Sequence, residues 1–162
     1  MPRQQRKTTP PKSEPKSSRL PYEVDLTAAA EEVYSGMARR AKAAEAARDY
    51  TNSHCTTFNM VRDAITRIIP HDPLDKSHAL RGDLSNIFRL RKGRLRICWI
   101  ASSRMRRVCI LFISETLRKD GDANDPYAIF QSLLESGMFD GVIRKFGVRG
   151  IPRVPGQPRQ IQ

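Results

Sequence analysis

No apolar run in this sequence approaches the roughly 20 residues that a membrane-spanning helix needs, which argues against a bilayer segment. The N-terminus is polar and shows no secretory signal pattern. Cysteine is scarce. Cys55, Cys98 and Cys109 are widely spaced, odd in number and form no CxxC pair. Two of them sit inside apolar, strand-like runs, the setting of reduced, buried thiols in a cytosolic protein. The three histidines, His54, His71 and His78, are not at metal-ligand spacing, so no zinc site or other cofactor is expected. Acidic residues are also few: 17 Asp plus Glu stand against 29 Lys plus Arg, a formal net charge of +12. That imbalance predicts an anionic partner, and nucleic acid fits better than a membrane surface.

What is present amounts to one domain's worth of chain, 162 residues with 39% hydrophobic content. Residues 1–19 hold six basic residues, one Glu and nothing large and apolar. Such a stretch cannot bury enough surface to offset its ordering entropy, so a disordered basic tail is expected there. A second tail is expected at 149–162, leaving 20–148 as the folded domain.

Residues 26–70 read as two helices. The first is Ala-rich, with Thr27 or Asp25 as N-cap and Val33, Tyr34, Met37 and Ala41 at helical spacing. In the second, Phe58, Val61, Ile65 and Ile68 form one stripe and Pro70 ends it. Residues 80–114 alternate like strands. A further helix starts at Asp125-Pro126, buries Ile129, Phe130, Leu133 and Leu134, and stops at Gly137. Helices, then a strand meander, then a helix is an α+β order. The expected fold is N-terminal helices packed on a small twisted antiparallel sheet, with a C-terminal helix.

The stretch "FRLRKGRLRICWI", residues 88–100, carries the chemistry. With Lys92-Gly93 as a two-residue turn, Arg91 faces Arg94 and Arg89 faces Arg96. Opposed residues project to the same side of an antiparallel pair, so four arginines share one face. Phe88, Leu90, Leu95, Ile97 and Trp99 share the other and form core. A third strand, "RRVCILFIS", is apolar on both faces and suits the middle of the sheet. A solvated outer face would explain the polarity. It would not explain the sign: between Arg81 and Arg107 stand nine basic residues and one acid, Asp83. Arginine's planar fork suits phosphate oxygens. A wet, phosphate-binding arginine face is therefore expected, with Arg81, Lys92, Arg94 and Lys119 adding RNA contacts.

Cutting RNA without a metal uses the 2′-hydroxyl as internal nucleophile. It needs a proton acceptor, a proton donor for the leaving 5′ oxygen, and cations around the phosphorane-like transition state. On spacing alone Tyr127 is a packing aromatic at a helix start. Beside arginines its phenolate is favoured, which makes it a base candidate. His78 is the alternative base, on its ordinary pKa.

The stretch "LRGDLSNIFRLRKGRLRICWI", followed by "VCILFIS", resembles the central sheet of the RelE/ParE toxin superfamily. The downstream "ETLRKDGDANDPYAIFQSLLESG" is similar to the YhaV branch, with its Thr-Leu-Arg, glycine-bearing loop, tyrosine and apolar helix. The resemblance spans residues 55–138. It implies the toxin of a type II toxin–antitoxin pair, a ribosome-associated, metal-independent mRNA endoribonuclease of the cytoplasm. By position, Arg89 and Arg91 match the alternating basic residues of the first motif strand, and Arg96 the phosphate-holding arginine of the second. Arg118 matches the basic position after the last strand, and Tyr127 the tyrosine opening the final helix. Where RelE proteins have lysines on the first strand, this chain has arginines. The implied partner is a dimeric, AbrB-like antitoxin, through which alone the pair would meet operator DNA. ParE-like members share the sheet but poison gyrase, so a nonenzymatic toxin is the second reading. A plain RNA- or ribosome-binding protein is the third.

Overall fold

The computed structural model describes residues 20–115 and 125–149. The tail expected at 1–19, all but Arg149 of the tail expected at 149–162, and the site candidates Arg118 and Lys119, lie outside the described residues.

The fold class is α+β, as expected. Strand β1 (Glu23–Leu26) leads into helix α1 (Ala28–Ala46), then α2 (Ser53–Asp63). Short 3-10 turns connect to β2 (Phe88–Lys92), β3 (Leu95–Ser102) and β4 (Arg107–Ser114). Helices α3 (Pro126–Glu135) and α4 (Asp140–Lys145) close the described chain. The sheet order is β1-β4-β3-β2, antiparallel except for β1, which pairs parallel with β4. β4 lies inside the sheet, as its two apolar faces require.

β1 has no counterpart in the sequence reading. Its four residues, "EVDL", alternate too briefly to show a period. They are strand because β4, some 80 residues away, offers an open edge. Asp25 therefore serves β1 rather than a helix cap. Thr27 is the N-cap of α1, its hydroxyl oxygen accepting from the Ala30 N–H at 3.1 Å.

The sheet has two covered faces. On one, Phe88, Leu90, Leu95, Ile97 and Trp99 pack with Met37, Val61 and Ile65 of the N-terminal helices. Each such side chain stabilises the fold by about 1.5–3 kcal/mol through burial. Trp99 is buried, and its indole N–H donates to the Pro73 carbonyl at 2.8 Å. On the other face Ile87, Cys98, Ile100 and Leu111 pack with Phe130 of α3 and with Phe139 and Phe146, which flank α4. All three cysteines are buried and free, so the reading of reduced thiols stands.

The second helix departs from expectation at its end. After Asp63 the chain widens into a π-helical turn, Ala64–Ile68, and the Ile69 N–H bonds back to the Ala64 carbonyl. That extra residue rotates the stripe by one position. Ile69 takes the buried place, and Ile68 is left partly exposed.

Candidate active site

The β2–β3 hairpin turns one residue later than the sequence suggested. Lys92 pairs with Leu95, so the loop is Gly93-Arg94 rather than Lys92-Gly93. Gly93 holds φ +58°. Glycine pays least for that conformation, and it leads a two-residue hairpin loop for that reason. The cross-strand pairs change with it. Arg91 faces Arg96, not Arg94, and Arg89 faces Cys98, not Arg96. The faces do not change, because moving a two-residue loop by one position shifts each pairing by two. Arg89, Arg91 and Arg96 thus share one side. Arg94 sits exposed in the turn, so three arginines rather than four line the strands.

This face is not the wet surface that the alternation suggested. α3, α4 and their phenylalanines cover its inner part, where Ile87, Cys98 and Ile100 are buried. The arginines occupy the end next to the turn. Arg91 is exposed and Arg89 half-buried, but Arg96 is only 4% exposed. The Arg96 Nη1 donates to the carbonyls of Gly93, at 2.6 Å, and Leu95, at 2.9 Å. Among the described residues its buried Nε has no hydrogen-bond partner. Among the described residues no carboxylate lies within 4.0 Å of Arg89, Arg91 or Arg96. Leaving a buried N–H unsatisfied costs about 1–3 kcal/mol.

α3 brings Tyr127 to the same face. Asp125 caps the helix, its carboxylate accepting from the Ala128 N–H at 3.2 Å, and Pro126 begins it. One residue into the first turn, the Tyr127 hydroxyl oxygen accepts from Arg89 Nη1 at 3.0 Å. The Arg89 guanidinium carbon lies 5.3 Å from the Tyr127 ring centre, so a cation–π contact joins the pair as well.

Cys98, beneath Arg89, has its thiol pushed up to about 12 by burial, which outweighs the nearby guanidinium. It stays a neutral packing group at ordinary pH.

The remaining candidates are elsewhere. His78 packs its ring 5.7 Å from that of Trp99, and its Nδ1 lies 3.1 Å from the Arg89 carbonyl oxygen. Trp99 belongs to the face under α1 and α2, so His78 stands at the β2 edge, across the sheet from Tyr127. Arg81 is exposed before the 3-10 turn Gly82–Leu84, off the sheet. Lys92 is exposed at the hairpin tip but projects with Leu95 to the side covered by α1 and α2. Among the described residues no three His, Cys, Asp or Glu side chains cluster as metal ligands would, and no helix is long and apolar enough to cross a membrane.

Comparison with known proteins comes down to one family. The search of curated proteins finds no match. A chain of the RelBE2 toxin–antitoxin complex of Mycobacterium tuberculosis is 20% identical, over 58% of this chain and 90% of that one, with a TM-score of 0.42. The isolated RelE toxin of Escherichia coli is 10% identical, over 70% of this chain and 95% of that one, with a TM-score of 0.45. The family model is the stronger finding: residues 24–146 match the YhaV toxin family, described as a toxin with endonuclease activity, of a toxin–antitoxin system. A match over that much of the sequence, across every strand and helix described above, makes this chain a member of the YhaV-type toxins, endonucleases that work opposite a cognate antitoxin.

Proposed function

We propose that the chain is a metal-independent mRNA endoribonuclease acting in the cytoplasm at the ribosome, and that Arg89, Arg91, Arg96 and Tyr127 form its catalytic face. In this reading the 2′ oxygen bonds to phosphorus as the bond to the 5′ oxygen breaks. The 2′ proton is taken up by the Tyr127 oxygen as phenolate, and a solvent water protonates the leaving 5′ oxygen, its hydroxide then taking the proton back from Tyr127. The products are a 2′,3′-cyclic phosphate and a 5′-hydroxyl end. Arg91 and Arg96 hold the non-bridging oxygens, and Arg89 keeps the Tyr127 oxygen beside them. Arg118 would join from the neighbouring segment, and Arg81, Arg94 and Lys119 would add weaker RNA contacts. The cognate antitoxin would be an AbrB-like dimer, and only through it would the pair reach operator DNA.

One observation carries this reading. Arg91 stands directly opposite Arg96, and neither has a carboxylate within reach among the described residues. Opposed like charges destabilise a sheet, so the pair is best explained by an anion bound between them.

The test is induction of the chain without an antitoxin, followed by mapping of RNA 5′ ends. Growth arrest with new 5′-hydroxyl ends inside messages is expected. Intact transcripts with damaged DNA would move the protein to the gyrase-poison reading. In vitro, Arg91→Ala should lower cleavage by about 10²–10³-fold with an unchanged melting curve, because its side chain is exposed. Tyr127→Phe should lower it by about 10²–10⁴-fold. Full activity of that variant would remove Tyr127 from proton transfer.

A further inference from the structure

The far side of the hairpin tip holds a second cationic feature that the catalytic face does not use. Between α2, with its π-helical extension, and the end of β2 runs an open groove of about 640 Å³. That volume is within the range of ligand sites, about 300–1,000 Å³. Arg62, Arg67 and Lys92 line it, with Asn59 and Thr66 between them. Its one carboxylate, Asp63, lies 3.4 Å from Arg67 and offsets a single charge. Residues 59, 62, 63, 66 and 67 fall on one side of the helix because they are three or four apart. The opposite side holds Val61 and Ile65 in the core, so the polar stripe is fixed outward. The π-helical turn spans Thr66 and Arg67, and such wide turns occur frequently at functional sites.

The tip joins this groove to the catalytic face. Arg91 and Arg96 project to one side of the hairpin, Lys92 projects to the other, and Arg94 sits in the turn between. Cations therefore run round the tip without an intervening acid. Met60 is the one apolar residue among those that line the groove.

We infer that Arg62, Arg67 and Lys92 bind the phosphates of the same RNA strand beyond the cut, after it passes over the hairpin tip. This extension rests on the endoribonuclease reading above. It gives the enzyme a grip on strand length in addition to the scissile phosphate.

The experiment uses the full chain and RNA methylated at every 2′ oxygen, which cannot be cut. Anisotropy measures binding of oligonucleotides of about 4 and about 12 nucleotides, the span of known single-strand sites. In R62A/R67A the longer strand should bind about 5- to 10-fold more weakly, and its log–log salt slope should fall by about 1.4, two single-strand phosphate contacts. The shorter strand should bind as in the wild type. R62K/R67K should restore the longer strand's affinity. Unchanged binding of both strands, or an equal loss for both, overturns the inference. So does unchanged RNA binding with weakened antitoxin binding, which would make the groove a protein contact. Failure of the wild type to bind either strand would instead bring down the endoribonuclease reading itself.

Discussion

Arg96 is where the sequence and the structure differ most usefully. As an alternating residue on an edge hairpin it reads as solvated, and its removal should then spare the fold. In the structure its guanidinium is buried and closes the turn through two backbone carbonyls. Arg96→Ala should therefore do two things at once. It should abolish cleavage, and it should lower stability by about 1–3 kcal/mol, because the buried Leu95 carbonyl loses its donor. Parallel cleavage assays and denaturant titrations check both; a loss of activity with full stability would mean that the turn does not depend on this side chain. The contrast with exposed Arg91 separates phosphate binding from architecture. Sequence could place both arginines on one side of the hairpin from their spacing. It could not show that one is packed and the other wet, since that depends on what lies over the face.

At the scale of elements, α3 carries the proton-transfer candidate and its start fixes that residue's position. Asp125 was legible as the cap because Asp-Pro at a helix start leaves no orphaned donor at the first turn. Asp125→Ala should cost about 0.5–2 kcal/mol and lower activity together with it, by loosening Tyr127 against Arg89. Asp125→Asn, which keeps the cap, should retain most of both. Thermal melts and cleavage rates of the two variants decide this; equal damage in both would give Asp125 a role other than capping. The hairpin teaches a complementary point. Its loop shifted by one residue and its pairs changed, yet the arginine side and the core side survived, because a period of two tolerates such a shift. The π-helical turn after Asp63 had no such protection. It exchanged Ile69 for Ile68 in the core, and no propensity in "AITRI" announces an i→i+5 turn.

For the molecule as a whole, β1 ties the N-terminal end of the domain to β4. Arg107 Nε and Nη2 donate to the two Asp25 carboxylate oxygens at 2.9 and 2.8 Å. The hydrogen bond from Arg107 holds the Asp25 carboxyl below its ordinary range, against the opposing effect of burial. A carboxylate with a lowered folded-state pKa stabilises the fold above its unfolded value, about 3.9, and that contribution is lost as pH falls through the folded value. The melting temperature should thus drop on acidification below about pH 4 more steeply in the wild type than in Asp25→Asn. Parallel curves would show that the pair contributes nothing measurable; with both side chains about a third exposed, screening keeps the effect modest.

The sequence by itself determined the helix and strand periods, the cap at Asp125, the two sides of the hairpin and the excess of positive charge that calls for an anionic partner. Those properties are local, set by spacing and residue chemistry. The tertiary structure alone decided that a four-residue acidic segment becomes a parallel strand, that His78 stands across the sheet from the arginines, and that Tyr127 meets Arg89. Each of these depends on contacts between residues far apart in the chain, where burial and charge pairing between elements outweigh local preference.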